Sequence, residues 1–418
     1  MAAVFGVLVF SGAIPIGNKA DKIGGLGSVV LWGSVPPDAI SPALEEFNAA
    51  NKSFSVVYVQ KNADTFGQDL LEALASGTGP DMFFLPDSLV YSYKNKIFTI
   101  PYASYSAANF KKTFVGAGEV FMSSQGITAF PIAVDPMVMY YSRSMLDAAN
   151  IVYPPAYWDE FSSLVPKLTQ KDDTNKIIKS TVALGQFQNI NFAKDILATL
   201  FMQAGNPIVS ESTGGRYVSS LDQTTPGYPL GAVLQFYTDF ANPIKDVYSW
   251  NRSLPVSRDY FSAENLAFYF GYASEFRSLV NKNPNQNFLV APVPQIRGAN
   301  FKLTSGHVMG IAISSQSKNF NTALTAASLM ATSNFAARFA PALGMVPVRR
   351  DLIQTIPTDS YSPVFYSSAL YAKAWLDPSS IDTDNIFRGM TEKVLSNTMS
   401  FEDSVRDASA KMGLLLLK

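Results

Sequence analysis

Residues 126–146 read GITAFPIAVDPMVMYYSRSML, and 127–141 are almost continuously apolar. Such a run is too short and too interrupted to span a membrane. It predicts two buried strands joined end to end, 127–132 and 137–141. One carboxylate, Asp135, stands at the junction. Pro136 removes a backbone donor there and biases Asp135 towards an extended backbone. An ionised carboxylate between buried strands is costly unless something satisfies it. The junction is therefore expected in a wet crevice, where the chain passes from one lobe to another.

Upstream, short apolar strands alternate with amphipathic helices. Strands are expected at 29–32, 54–59 and 82–85, and helices at 41–50 and from Asp64, as a cap, to 76. Gly and Pro in the SGTGPD run, 76–81, end that second helix. This alternation implies an α/β fold with a mostly parallel sheet. Ligands of such sheets bind at the carboxyl ends of strands. Those ends carry Trp32, Gly33 and Ser34, then 60–64 with Asp64, then Pro86 and Asp87. With Asp135 they would line one edge.

Composition removes many alternatives. The 418 residues allow two or three domains, and 47% hydrophobic against 16% charged describes a globular chain. Thirty-two basic and 33 acidic residues give a net charge of −1, with no basic excess for nucleic acid. Cysteine is absent and His307 is the single histidine, so thiol nucleophiles, disulfides and Cys/His zinc sites are excluded. No cofactor is expected: no GxxxxGK[ST] phosphate loop or GxSxG elbow occurs, and Ser315 to Lys318 fits SxxK without its companion motifs. Residues 1–18 carry no charge, and 2–16 are mostly apolar. They read as a signal-anchor without its basic start or a short uncleaved membrane anchor, with an N-terminal strand as the alternative. Residues 19–28 then form a Gly-rich linker.

The segment PIAVDPMVMYYS resembles the signature of the bacterial extracellular solute-binding proteins of the maltose-binding type, with Ser142 where Asn or Asp is usual. The SGTGPD run before an apolar strand, PPAYWDEF at 154–161, YFSAENLAFYFGY at 260–272 and the Gly344–Pro347 region are similar to further family segments. Glu264 and Asn265 depart from the family's Gly and basic residue. The resemblance implies a two-lobed, type II periplasmic-binding fold with three crossovers near 134–137, 306–309 and 342–344. It implies lobes of 29–134 with 309–342, and 135–308 with 343–418. It also implies a monomeric, extracytoplasmic, non-enzymatic receptor of an ABC importer. Such a receptor closes about its hinge on a sugar and delivers it to membrane permease subunits.

The candidate ligand residues follow from both lines. Asp135, Asp87 and Asp64 suit sugar hydroxyls, because a carboxylate accepts two hydrogen bonds. Asp87 and Asp64 also suit helix caps. Trp32 and Tyr272 offer ring faces for a pyranose, though a core position is the default for an aromatic. The resemblance adds Phe187, Gln188 and Asn191, near a region where the family often presents a stacking aromatic. It also adds Arg388, beside Phe387. His307 is unusual in the apolar run 305–313 and is either a ligand contact or a satisfied core histidine. Two rivals stand beside the sugar receptor. Adjacent Tyr140 and Tyr141 suit a ferric-binding protein, although strand alternation puts them on opposite faces. A glycan hydrolase would need two carboxylates about 5–10 Å apart.

Overall fold

The computed structural model describes residues 27–224, 227, 229–332 and 334–417; the apolar run 2–16 lies outside them, as does most of the linker. The stretch expected as two strands is one strand, Phe130–Ser142, buried at all 13 positions. Its partners explain why Pro136 does not break it. Ala133 and Val134 pair antiparallel with Val346–Pro347. From Met137 onward the strand pairs antiparallel with Leu266–Tyr272, and from Met139 also with Phe288–Ala291. Asp135 and Pro136 fall between these two ladders, and Thr304–Ile313 is a further neighbour of the long strand.

The chain divides into two compact units. One comprises residues up to Val134 and His307–Thr355; the other comprises Asp135–Gly306 and Ile356–Lys418. The chain therefore passes between them three times. The third passage differs from the expected 342–344. Val346–Pro347 pairs within the first unit, Val115 N–H donates to the Val348 carbonyl at 3.0 Å, and Arg350 Nε donates to the Phe114 carbonyl at 2.9 Å. These bonds keep the chain in the first unit until Thr355.

In the first unit, strand Gly27–Gly33 is flanked in parallel by Phe54–Gln60 and Met82–Pro86. Residues 309–313 run antiparallel to Met82–Pro86, so the sheet is mixed. Helix Pro37–Ala50 begins earlier than its apolar spacing suggests, because Pro37 is pre-organised for a first helical turn. It buries Ile40, Ala43, Leu44 and Phe47, spaced three and four apart. Helix Phe66–Ser76 is preceded by Thr65, and Asp64 does not cap it. Asp81 fastens the unit: its carboxylate accepts from Val30 N–H at 3.0 Å, Ser317 Oγ at 2.6 Å and Asn319 Nδ2 at 3.3 Å.

In the second unit, Leu266–Tyr272 is parallel to Ile177–Val182 and antiparallel to the long strand. Phe161 lies edge-on to Phe268 at 5.5 Å and to Phe240 at 6.1 Å, and Trp158 sits 5.2 Å from Phe270. Helices Ala193–Gln203, Ala232–Asp239, Ser380–Leu395 and Phe401–Leu415 belong to this unit. The helix expected over 362–375 stops at Ala369, since Ala372–Lys373 pairs in parallel with Thr304 and Ser305.

Asp81→Ala leaves three donors without their acceptor. A loss of about 2–4 kcal/mol of stability is expected, read as a lower urea midpoint. An unchanged midpoint would show that Asp81 does not fasten the unit.

Candidate functional site

The first unit brings two expected residues together. Asp87 follows strand Met82–Pro86 and opens a short 3₁₀ turn, Asp87–Leu89. The antiparallel register sets Met309 opposite Pro86, which carries residues 307 and 308 past that turn. Asp87 Oδ1 accepts from Val308 N–H at 3.1 Å, and Oδ2 lies 3.1 Å from His307 Nδ1. Asp87 is 7% exposed, whereas the His307 side chain is 45% exposed. Trp32 is half-buried, with the Lys61 ammonium 3.6 Å from its ring centre, so one ring face is already occupied. Gly33 beside it admits no side chain, because a Cβ would lie 2.5 Å from the Phe84 ring. Ser34 is half-exposed. Asp64 stands exposed, where its N–H donates to Asn62 Oδ1 at 2.9 Å.

The second unit gathers the others around two features. Phe187 is buried with the Arg388 guanidinium 5.6 Å from its ring centre. Arg388 donates to Asp384 at 2.7 Å, and exposed Gln188 donates to Glu392 at 3.0 Å. Asp384, Arg388 and Glu392 are successive i,i+4 positions on Ser380–Leu395. The second feature centres on Tyr272, which is buried and meets Phe192 edge-on at 5.0 Å. Asn191 is drawn into structure: its Oδ1 accepts from Arg258 N–H at 3.0 Å and Ser257 Oγ at 3.1 Å, tying it to helix Ser257–Ser262.

Asp135, expected in a wet crevice, is buried. It is 7% exposed, and its Oδ1 accepts from Ser274 N–H at 3.0 Å. That N–H belongs to the turn Ala273–Glu275, whose first-turn donors lack helical partners. The turn supplies one of the groups that hold the carboxylate.

Two residues not anticipated from sequence stand beside this second feature. Phe192 occupies left-handed backbone, φ +56°, directly before helix Ala193–Gln203. A phenylalanine there costs roughly 1–2 kcal/mol, and nothing in FQNINF marks the position, since the conformation favours Gly or Asn. Glu275 accepts from Tyr269 Oη at 3.0 Å and Tyr272 N–H at 3.3 Å, and lies 3.6 Å from Arg258. Burial pushes its carboxyl above the ordinary range, and the Asp135 charge adds to that. The Tyr269 and Tyr272 hydrogen bonds and the Arg258 charge oppose it. The usable signal was the reciprocal spacing of a capping glutamate three residues after Tyr272.

Tyr140 donates to the Tyr272 carbonyl at 2.7 Å, and burial holds its phenol well above its usual pKa. Neutral and engaged, it does not suit ferric ligation. Among the described residues no cluster of three or more His, Cys, Asp or Glu could hold a metal ion.

Two α/β units linked by three chain passages define a two-lobed binding protein of the type II periplasmic arrangement. The sequence pattern of the family described as "Bacterial extracellular solute-binding protein" matches residues 43–368, and the chain belongs to that family. It is a binding protein, not an enzyme. A cyclo/maltodextrin-binding protein complexed with maltotetraose is 17% identical with a TM-score of 0.72, over 94% of this chain and 98% of that one. An ABC substrate-binding protein of Listeria monocytogenes in complex with cycloalternan is 16% identical with a TM-score of 0.66, over 92% and 98%. An ABC transporter solute-binding protein of Thermotoga lettingae bound with α-D-tagatose is 17% identical with a TM-score of 0.64, over 93% and 100%. Proteins of Brucella abortus and Brucella suis, named only as binding proteins, are 25% identical over 126 residues. The match spans 30% of the length of those relatives. The family is extracellular, and no helix among the described residues is long and apolar enough to cross a membrane.

The raised Glu275 pKa carries a sign. Between the unfolded value near 4.5 and the raised folded value, the folded chain holds a proton that the unfolded chain has lost. Stability from this group is therefore present at acid pH and lost as pH rises through that window. Glu275→Gln keeps an acceptor and removes the ionisation. Relative to wild type, its melting temperature should gain as pH rises through the window. Parallel melting curves from pH 4 to 8 would contradict this.

Proposed function

We propose that the solute is a carbohydrate, a mono- or oligosaccharide, which the protein delivers to the permease subunits of an ABC importer. The observation that carries this reading is a fold shared over nearly the whole chain with proteins whose structures hold maltotetraose, cycloalternan and tagatose. The chemistry of the candidate residues supports it. A neutral sugar is held by hydrogen bonds from convergent polar groups and by contact of its C–H faces with rings. The first unit offers His307 with Asp87, together with Ser34 and the Trp32 ring. The second offers Arg388, Gln188 and the rings of Phe187, Tyr272 and Phe192. Asp135 and Asn191 are engaged by backbone donors and serve the architecture, and Asp64 stands outside these groups.

A solute that binds only the folded chain stabilises it by about 2.7 kcal/mol at a hundredfold excess over Kd. Maltotetraose, maltose, tagatose and cycloalternan should therefore raise the melting temperature by several degrees, and the sugar should be recovered intact. Shifts from amino acids or Fe³⁺, with none from any sugar, would overturn the carbohydrate reading.

A further inference from the structure

We propose that Lys61 donates hydrogen bonds to oxygens of the solute, and that the Trp32 ring serves the site by holding Lys61 rather than by stacking on a sugar. The proposal rests on the carbohydrate reading above. Register brings the two side chains together. Trp32 pairs in parallel with Val59, and Gly33 with Gln60. Alternation along the strands then sets Trp32, Val59 and Lys61 on one face of the sheet. The ladder runs one bond further, because Lys61 N–H donates to the Gly33 carbonyl at 2.8 Å. Tyr58 Oη donates to the Val35 carbonyl at 2.7 Å, so the segment after the first strand is pinned as well. These bonds fix both side chains at the carboxyl ends of the parallel strands, the edge where such sheets take ligands.

The state of the ammonium carries the inference. It lies 3.6 Å from the Trp32 ring centre, well inside the range of a cation–π contact. Among the described residues it has no carboxylate partner and no hydrogen bond, although Lys61 is half-buried. An ammonium carries three N–H donors, and a ring face answers its charge without accepting all of them. A sugar offers several oxygen acceptors, and a bond from a charged donor is stronger than one from a neutral donor. The ammonium also covers the ring face that a pyranose would need. A stacking sugar would have to displace it, whereas a sugar bound to its donors leaves it in place. Trp32 is then a positioning residue and Lys61 the group that meets the solute.

Lysine labelled with ¹³C at Cε and ¹⁵N at Nζ reports this contact in the full protein, with Lys61→Arg assigning the Lys61 signals. Without ligand the Lys61 Hε protons should lie upfield, shielded by the Trp32 ring current. Maltotetraose or tagatose should preserve that shielding and shift the Nζ resonance. Loss of the shielding on sugar binding overturns the proposal, because it shows a sugar taking the ring face from Lys61. Lys61→Met keeps an apolar stem on the ring and removes the donors. It should weaken sugar binding about tenfold, the worth of one hydrogen bond, and Lys61→Arg should recover part of that loss. The double variant Lys61→Met/Trp32→Leu should bind about as well as Lys61→Met alone, because Trp32 acts only through the ammonium. Losses that multiply in the double variant overturn the proposal. The wild-type spectra do not depend on Trp32→Leu, so a poorly folding variant does not shield the idea. A bound sugar that leaves the Lys61 signals unchanged defeats this contact alone. Wild-type protein that binds no sugar defeats the carbohydrate reading, and this contact with it.

Discussion

A carboxylate sits inside a strand that is buried along its whole length. Phe130–Ser142 is buried throughout, and Asp135 lies in it where the chain passes from the first unit to the second. Burying an unsatisfied carboxylate costs several kcal/mol or shifts its protonation. One donor that meets that constraint is the N–H of Ser274, in the turn that follows Leu266–Tyr272. The pairing of that strand with the long strand sets Tyr272 opposite Met137 and so places the turn beside Asp135. Sheet register and electrostatics thus depend on each other.

The same turn sets the character of the surrounding residues. Glu275, at its end, is a second carboxylate close enough for its charge to be felt with that of Asp135. Tyr140 and Tyr269 answer with neutral phenols, one donating to the Tyr272 carbonyl and the other to Glu275. Burial and the nearby carboxylates hold both phenols well above their usual pKa. These tyrosines build the second unit. Phe192 carries backbone strain next to a ring contact with Tyr272. Such strain persists where surrounding structure over-determines it, often at functional positions.

Much of the architecture was readable locally. The apolar run around Asp135, the Gly-Pro-Asp stop before Met82 and the strand–helix alternation are signals within a few residues. What resisted reading was set by distant partners. The long strand stays whole across Pro136 with partners that include Val346, Tyr272 and the strand Thr304–Ile313, none of them nearby in sequence. The third passage falls after Thr355 because bonds from Val115 and Arg350 reach across the first unit. At the site, Asp87 and His307 each stood out singly, but only the register between their strands joins them. Phe192 was invisible, since a positive φ on phenylalanine is imposed by its surroundings.

On the function proposed above, Asp135 serves the fold, while Asp87, held against His307 and Val308, belongs to the candidate site. Asp135→Ala, followed by urea unfolding and sugar titration on the same preparation, tests this division most directly. The variant should lose about 1–3 kcal/mol of stability by orphaning the Ser274 N–H, while its folded fraction keeps wild-type sugar affinity. Wild-type stability combined with abolished sugar binding would place Asp135 on the solute and contradict the account.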